Sequence, residues 1–169
     1  MTVLRTSQPP DDFHLVQRWE VDSAGALAGL RSSLHEAVTG AVGAPRGDFS
    51  QTPDKMVLVA SELATNALRH AKAPRSVRLF ARDHELLLDV VDHDVTSAPV
   101  VAGVRPAGEG GFGLKLAQRL AADVGWYARG TAKHVWACFP ATDAEAASVE
   151  RRSRRRGGSW LGPRPQAFA

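Results

Sequence analysis

Five short segments of the chain are rich in apolar residues and bounded by polar turns, a pattern typical of β-strands. The first alternates apolar and polar positions with a period of two. Short turns separate the second segment from the third and the fourth from the fifth, so we predict two antiparallel hairpins. The five segments are residues 14–21, 76–82, 86–91, 124–128 and 133–139.

Three longer segments carry apolar residues at helical spacing, which predicts three helices. Pro53 opens the central helix and Pro74 follows its end, as expected of a residue that starts helices but cannot continue them. The predicted buried positions are Leu27, Leu30, Leu34 and Val38 in the first helix, Met56, Val59, Ala60, Leu63 and Ala67 in the second, and Leu116 and Leu120 in the third.

The order of these elements indicates an α+β fold, a two-layer sandwich with helices on one face of a mainly antiparallel sheet. The length of 169 residues suits one domain with extra segments at its ends. We expect a flexible lead over residues 1–12, a folded domain over residues 13–142, and a basic tail over residues 143–169. The tail has the Arg, Gly and Pro content of a disordered segment.

The formal net charge of +3 comes from the tail, because residues 151–169 hold six arginines and no acid, which leaves −3 for residues 1–150. An acidic folded part without a basic recognition helix argues against direct binding of nucleic acid. No apolar run is long enough for a membrane span, and the N-terminus lacks a signal peptide's apolar core. A cytoplasmic protein is therefore expected, with Cys138, the single cysteine, buried in an apolar strand.

Candidate chemistry begins on the central helix. Glu62 and Asn66 are four residues apart, so their side chains project from the same side of the helix. A carboxylate beside an amide could hold a hydrated magnesium ion and position a hydroxyl or a water. The alternative is a solvated helix face on which the two side chains form an ordinary hydrogen-bonded pair.

A long segment rich in Gly and Pro, residues 92–113, follows the first hairpin and enters the third helix. A segment of this length without a period is usually either functional, such as a lid, or disordered. Gly111 and Gly113 stand at the helix entry, where glycine lets the backbone approach a ligand closely. Free N–H groups and the helix dipole would favour a phosphate at that point.

Taken together, these features resemble the GHKL ATPase superfamily, which includes gyrase, histidine kinases and MutL. Within it the chain is most similar to the bacterial anti-sigma factor serine kinases. Three passages carry the resemblance: SELATNALRHA, DVVDHDVTSAP, and GGFGLKLAQRLAADVGW with the closing VWACFP. The resemblance implies the histidine-kinase-like ATPase fold, with ATP and magnesium as ligands.

The resemblance also implies a role for each matching residue. Asn66 would hold the magnesium that bridges the nucleotide phosphates, and Glu62 would act as base toward the attacking hydroxyl. Asp92 would accept a hydrogen bond from the adenine amino group. Gly111 and Gly113 would lie near the phosphates.

Two departures from the family pattern bear on nucleotide binding. The family usually has Asp-x-Gly where this chain has Asp92, His93 and Asp94, so a side chain replaces a glycine. The closing strand often carries a small hydroxyl residue near the adenine, and we place His134 at that position. The spacing of the histidines fits no standard zinc motif.

Two functions remain open at this stage. The first is an ATP-dependent serine/threonine kinase that acts on a small anti-anti-sigma (STAS-type) protein, with a sigma factor as a second partner. The second is a nucleotide-binding fold with weak or absent catalysis that sequesters a protein partner. Both Glu62 and Asn66 favour the kinase, whereas Asp94 favours the sequestering protein. A homodimer is left open.

Overall fold

The computed structural model describes residues 2–41, 51–101 and 112–140. Within them the chain forms three helices and seven strands. The helices are α1 (Ala24–Ala41), α2 (Thr52–His70) and α3 (Phe112–Leu120). The strands are β1 (Thr2–Val3), β2 (His14–Glu20), β3 (Ser76–Arg82), β4 (Glu85–Asp92), β5 (Val100–Val101), β6 (Asp123–Arg129) and β7 (Ala132–Pro140).

Five of the strands form one antiparallel sheet in the order β2-β3-β4-β7-β6. Both predicted hairpins are confirmed, β3 with β4 and β6 with β7. The central pairing of β4 with β7 joins the two hairpins and runs from Glu85 opposite Pro140 to Asp92 opposite Lys133. No helix of the described ranges is long and apolar enough to cross a membrane.

The helices lie on one face of this sheet, and the main core lies between the two layers. Every second residue of β3, β4 and β7 points into that core, as the pleat of a strand requires. The predicted stripes of α1 and α2 are confirmed, since all nine positions are less than 9% exposed. The α+β sandwich predicted from the order of elements is therefore the fold observed. Strand residues in this core include Val77, Leu79, Leu86, Leu88, Val90, Val135, Ala137 and Phe139.

The opposite, outer face of the sheet has a smaller apolar cluster. Leu87, Trp136 and Cys138 are buried there, and Phe13 and Phe80 pack against them. Because Cys138 is 4% exposed, the predicted burial of this thiol is confirmed. The outer face therefore has a small apolar core of its own, although the helices lie on the other side of the sheet.

A buried polar cluster completes the outer face. Oδ2 of Asp89 accepts a hydrogen bond from Arg78 and lies 3.1 Å from Nδ1 of His134. The ring of Tyr127 stacks on that of His134 with centroids 4.4 Å apart. Burial, together with the charge of Asp89, raises the pKa of the Tyr127 hydroxyl. Asp89 is 2% exposed, and these neighbours provide the polar contacts of its Oδ2.

The N-terminal lead is packed on the domain, which corrects the prediction of a loose segment over residues 1–12. Leu4 is 3% exposed and belongs to the main core. Backbone hydrogen bonds of 3.1 Å and 2.9 Å join Arg5 and Ser7 to Trp126, so the lead runs along the edge of β6. The sequence misled because a strand pair of this kind requires no amphipathic period within the lead itself.

The lead then crosses the sheet. It leaves the β6 edge at Ser7 and enters β2, at the opposite edge, at His14. Trp136 donates a 2.7 Å hydrogen bond from Nε1 to the carbonyl oxygen of Ser7, and Phe13 packs on the outer cluster. The crossing segment therefore lies on the outer face and shields its aromatic residues. Before the crossing, the lead also covers the edge of β6 through Arg5 and Ser7, where backbone groups would otherwise be unpaired.

Truncation of Leu4 should test this packing. We expect Leu4→Ala to lower the free energy of unfolding by about 2–3 kcal/mol, because a buried leucine leaves a cavity in the core. Val3→Ala is the matched control, since Val3 is 56% exposed and its truncation should have little effect. Chemical denaturation of the full chain measures both. Equal stabilities for the two variants would contradict this packing and support the loose lead that the sequence predicted.

Candidate functional site

The polar side of α2 presents Glu62 and Asn66, as predicted. Both side chains are partly exposed, while the next residues toward the core, Leu63 and Ala67, are buried. Within the described residues, no hydrogen bond joins Glu62 to Asn66. The pair is therefore held as two separate polar groups by the packing of α2, and both groups are available to a ligand.

The N-terminus of α3 packs directly on this pair. A Cβ atom added to Gly113 would lie 3.0 Å from Nδ2 of Asn66 and 3.0 Å from Cβ of Glu62. Only glycine fits without moving α2 or its side chains, so the glycine serves close approach between helices. The contact places the N-terminal backbone N–H groups of α3 beside the Asn66 amide and the base of the Glu62 side chain. That donor set suits a phosphate group and a magnesium ion.

Hydrogen bonds tie the C-terminal end of α2 to the end of β4. The backbone N–H of His93 donates to the carbonyl oxygen of Lys72 at 3.2 Å, and Nδ1 of His93 lies 2.8 Å from the carbonyl oxygen of Pro74. Arg75 donates from Nε to the carbonyl oxygen of Ala67, one of the last in the helix, at 2.9 Å. The end of β4, with Asp92, is thereby fixed next to the end of α2.

Asp92 is buried on the helix-bearing face of the sheet and has two partners. Its Oδ1 accepts a 2.8 Å hydrogen bond from the backbone N–H of Asp94. Its Oδ2 lies 3.2 Å from Nζ of Lys133, the residue directly opposite on β7. The Asp92 and Lys133 side chains are only 6% and 10% exposed, so this is a buried ion pair.

Asp94, which replaces the family's glycine, is accommodated without strain. Among the described residues only Asp83 and Gly130 have a positive φ, so Asp94 does not need the backbone freedom of glycine. Its carboxylate accepts a 2.6 Å hydrogen bond from the Thr96 hydroxyl. That hydrogen bond is the main reason that the pKa of Asp94 lies below its ordinary value, with the charge of Lys133 as a smaller contribution.

His134 does not lie beside Asp92, the residue that the resemblance assigns to adenine. His134 pairs with Val91 across the β4–β7 ladder, and its side chain lies on the outer face with Asp89. Lys133 lies on the helix-bearing face, next to Asp92. The prediction was displaced by one residue, and a displacement of one residue in a strand moves the side chain to the other face.

The structure therefore brings Glu62, Asn66 and Gly113 together and fixes Asp92 at the neighbouring end of β4. Gly111 lies outside the described residues, as do residues 102–111 of the predicted lid and the whole tail. Lys133 was missed by the sequence analysis. A lysine within an apolar strand was the available signal, because a buried lysine requires a partner. No three His, Cys, Asp or Glu side chains of residues 2–41, 51–101 and 112–140 form a metal-binding group.

Comparison with known proteins gives one family. Residues 20–139 match the sequence profile of the histidine kinase-like ATPase domain. The crystal structure of the RsbU and RsbW domains of Rv1364c from Mycobacterium tuberculosis is similar, with a TM-score of 0.50 and 17% sequence identity. The likeness covers 74% of this chain and 32% of that chain, and at this identity it shows the fold alone. No curated protein matches the sequence.

Proposed function

Because the chain belongs to the histidine kinase-like ATPase family, we propose that it is an ATP-dependent serine/threonine protein kinase. Its nucleotide site would lie where α3 meets α2 and extend to Asp92 at the end of β4. The proposed substrate is a serine or threonine of a small anti-anti-sigma (STAS-type) protein, and a sigma factor is a second partner. The partner class rests on the resemblance of the three sequence passages.

One contact supports this proposal above the others. Gly113, at the N-terminus of α3, lies against both Glu62 and Asn66. In the proposal Asn66 ligates magnesium, and the first N–H groups of α3 bind phosphate oxygens. Gly111 is assigned to the phosphates by resemblance. Magnesium ATP supplies the phosphoryl group and part of the charge neutralisation, so the protein contributes mainly positioning and electrostatics.

Glu62 is the proposed base. It lies one helical turn before Asn66, which puts its carboxylate within reach of a hydroxyl that approaches the magnesium-bound phosphates. The carboxylate would accept the hydroxyl proton as the bond to phosphorus forms. Glu62 is partly exposed and has no ion pair in the described part of the chain, so its carboxylate is accessible to such a hydroxyl.

The sequestering protein remains the second candidate, and one observation favours it. Each oxygen of Asp92 already has a partner, Lys133 for one and the Asp94 N–H for the other. A base amino group would have to share the carboxylate with them. If the pair excludes the base, the fold would serve to bind a protein partner without transferring phosphate.

Calorimetric titration with magnesium ATP tests the nucleotide site. We expect the wild type to bind and Asn66→Ala to lose most of the magnesium-dependent part of the affinity, about tenfold or more, because the amide ligand is removed. Titration with ATP in the presence of EDTA should give similar weak binding for both proteins. Gln118→Ala is the control, since it removes an exposed amide from α3 away from Gly113. If the wild type gives no heat with millimolar magnesium ATP, the nucleotide site is refuted and the sequestering function remains as the candidate.

A further inference from the structure

Lys133 is a buried cation that the proposed phosphoryl transfer does not use. Its side chain is 10% exposed, and Nζ lies 3.2 Å from Oδ2 of Asp92 and 3.4 Å from the carbonyl oxygen of Ser97. Burial of a lysine is costly, so its presence at this point of the strand calls for an explanation.

Strand pairing does not require this ion pair. The β4–β7 ladder is continuous from Glu85 opposite Pro140 to Asp92 opposite Lys133, and apolar contacts fill the helix-bearing face. A buried ion pair often contributes little net stability compared with an apolar pair of the same size. A role in ligand recognition accounts for the pair better than a role in holding the strands together.

Both members of the pair keep hydrogen-bonding capacity. An ionised carboxylate offers about four lone pairs, and an ammonium group offers three N–H donors. Asp92 uses two lone pairs and Lys133 two donors among the described residues. The pair therefore keeps at least one acceptor and one donor for a ligand, on groups whose polar atoms are 3.2 Å apart.

Purine bases differ at that edge. Adenine presents an amino donor beside the ring acceptor N1, whereas guanine presents the acceptor O6 beside the donor N1–H. A carboxylate that faces position 6 of the purine accepts from the adenine amino group but repels the guanine O6. With Lys133 beside it, the ammonium can donate to O6 while Asp92 accepts from N1–H of guanine. Adenine needs only the carboxylate, because Asp92 can accept from its amino group without a donor from Lys133.

We propose that Asp92 and Lys133 together read the purine edge, so that the site takes guanine as well as adenine nucleoside triphosphates. This inference rests on the nucleotide site proposed above and assigns its base specificity. Lys133 is the residue that admits guanine, and Asp92 is shared by both bases.

Calorimetric titration of the full chain with magnesium ATP and magnesium GTP tests the inference. We expect the wild type to bind both within about a factor of ten. Lys133→Met should weaken GTP about ten- to a hundredfold, because a charged donor to O6 is lost, and should change ATP binding much less. Arg129→Met is the matched control, since it removes an exposed cation from the same end of the neighbouring strand β6 and should leave the ratio unchanged.

The outcomes separate the two proposals. Binding of neither nucleotide by the wild type would overturn the nucleotide site itself. Binding of ATP with GTP more than about a hundredfold weaker would keep the site and overturn the base assignment. Equal loss of both nucleotides in Lys133→Met would also overturn it.

Magnesium ITP, which has O6 and N1–H without the guanine amino group, tests the wild type if Lys133→Met does not fold. It should bind like GTP, and failure to bind beside good ATP binding would refute the role of the lactam edge.

Discussion

Replacement of Glu62 by Gln should reduce phosphate transfer to the protein partner about 10²–10⁴-fold while magnesium ATP binds nearly as before. Gln keeps the size of the side chain and removes its basicity. The packing of Gly113 on Glu62 involves Cβ, which the substitution leaves in place. Incorporation of labelled phosphate into the anti-anti-sigma partner measures the rate, and calorimetry measures binding.

Glu36→Gln provides the control, because Glu36 is an exposed acid on α1 and lies outside the proposed site. Its transfer rate should equal that of the wild type. Equal incorporation by the wild type and Glu62→Gln would refute the assignment of the base. No incorporation by either protein, with binding of the partner intact, would favour the sequestering function.

Replacement of Arg78 by Met should cost the largest amount of stability, about 3 kcal/mol in the free energy of unfolding. Asp89 is 2% exposed, and removal of its cationic partner leaves His134 as the remaining polar partner of this buried carboxylate among the described residues. Loss of one member of a buried ion pair typically costs about 3–5 kcal/mol. The lower end is expected here because the Arg78 side chain is 25% exposed.

Two further variants distinguish charge from packing. Arg18 lies on β2 opposite Arg78, and its ion pair with Glu20 is formed by side chains that are more than half exposed. Arg18→Met should therefore lower the free energy of unfolding by less than about 1 kcal/mol. Arg78→Met combined with Asp89→Leu should recover most of the lost stability. If the double variant is as unstable as Arg78→Met, the loss comes from the packing of Arg78 on the Phe80 ring. Denaturant unfolding measures the stability of the wild type, Arg78→Met, Arg18→Met and the double variant.

The helices, the hairpins and the buried stripes of α1 and α2 were predictable because their causes are local, whereas Leu116 and Leu120 of α3 are only partly buried. An apolar stripe such as Leu30, Leu34 and Val38 defines a helix face within a few turns. A two-residue turn between β3 and β4 closes a hairpin without help from the rest of the chain. The Glu62–Asn66 pair was found for the same reason, since four residues along a helix fix the relative position of two side chains.

The sequence by itself therefore determined the three helices, the five strands of the main sheet, the α+β class and the polar residues of α2, but not the short strands β1 and β5. Only the tertiary structure decided that Lys133, and not His134, lies beside Asp92, because that depends on the register of β4 with β7. It also decided that the lead packs along β6, a contact between Arg5 and Trp126 that no local period encodes. Both depend on residues far apart in the chain, and a shift of one residue in such a pairing reverses which face each side chain occupies.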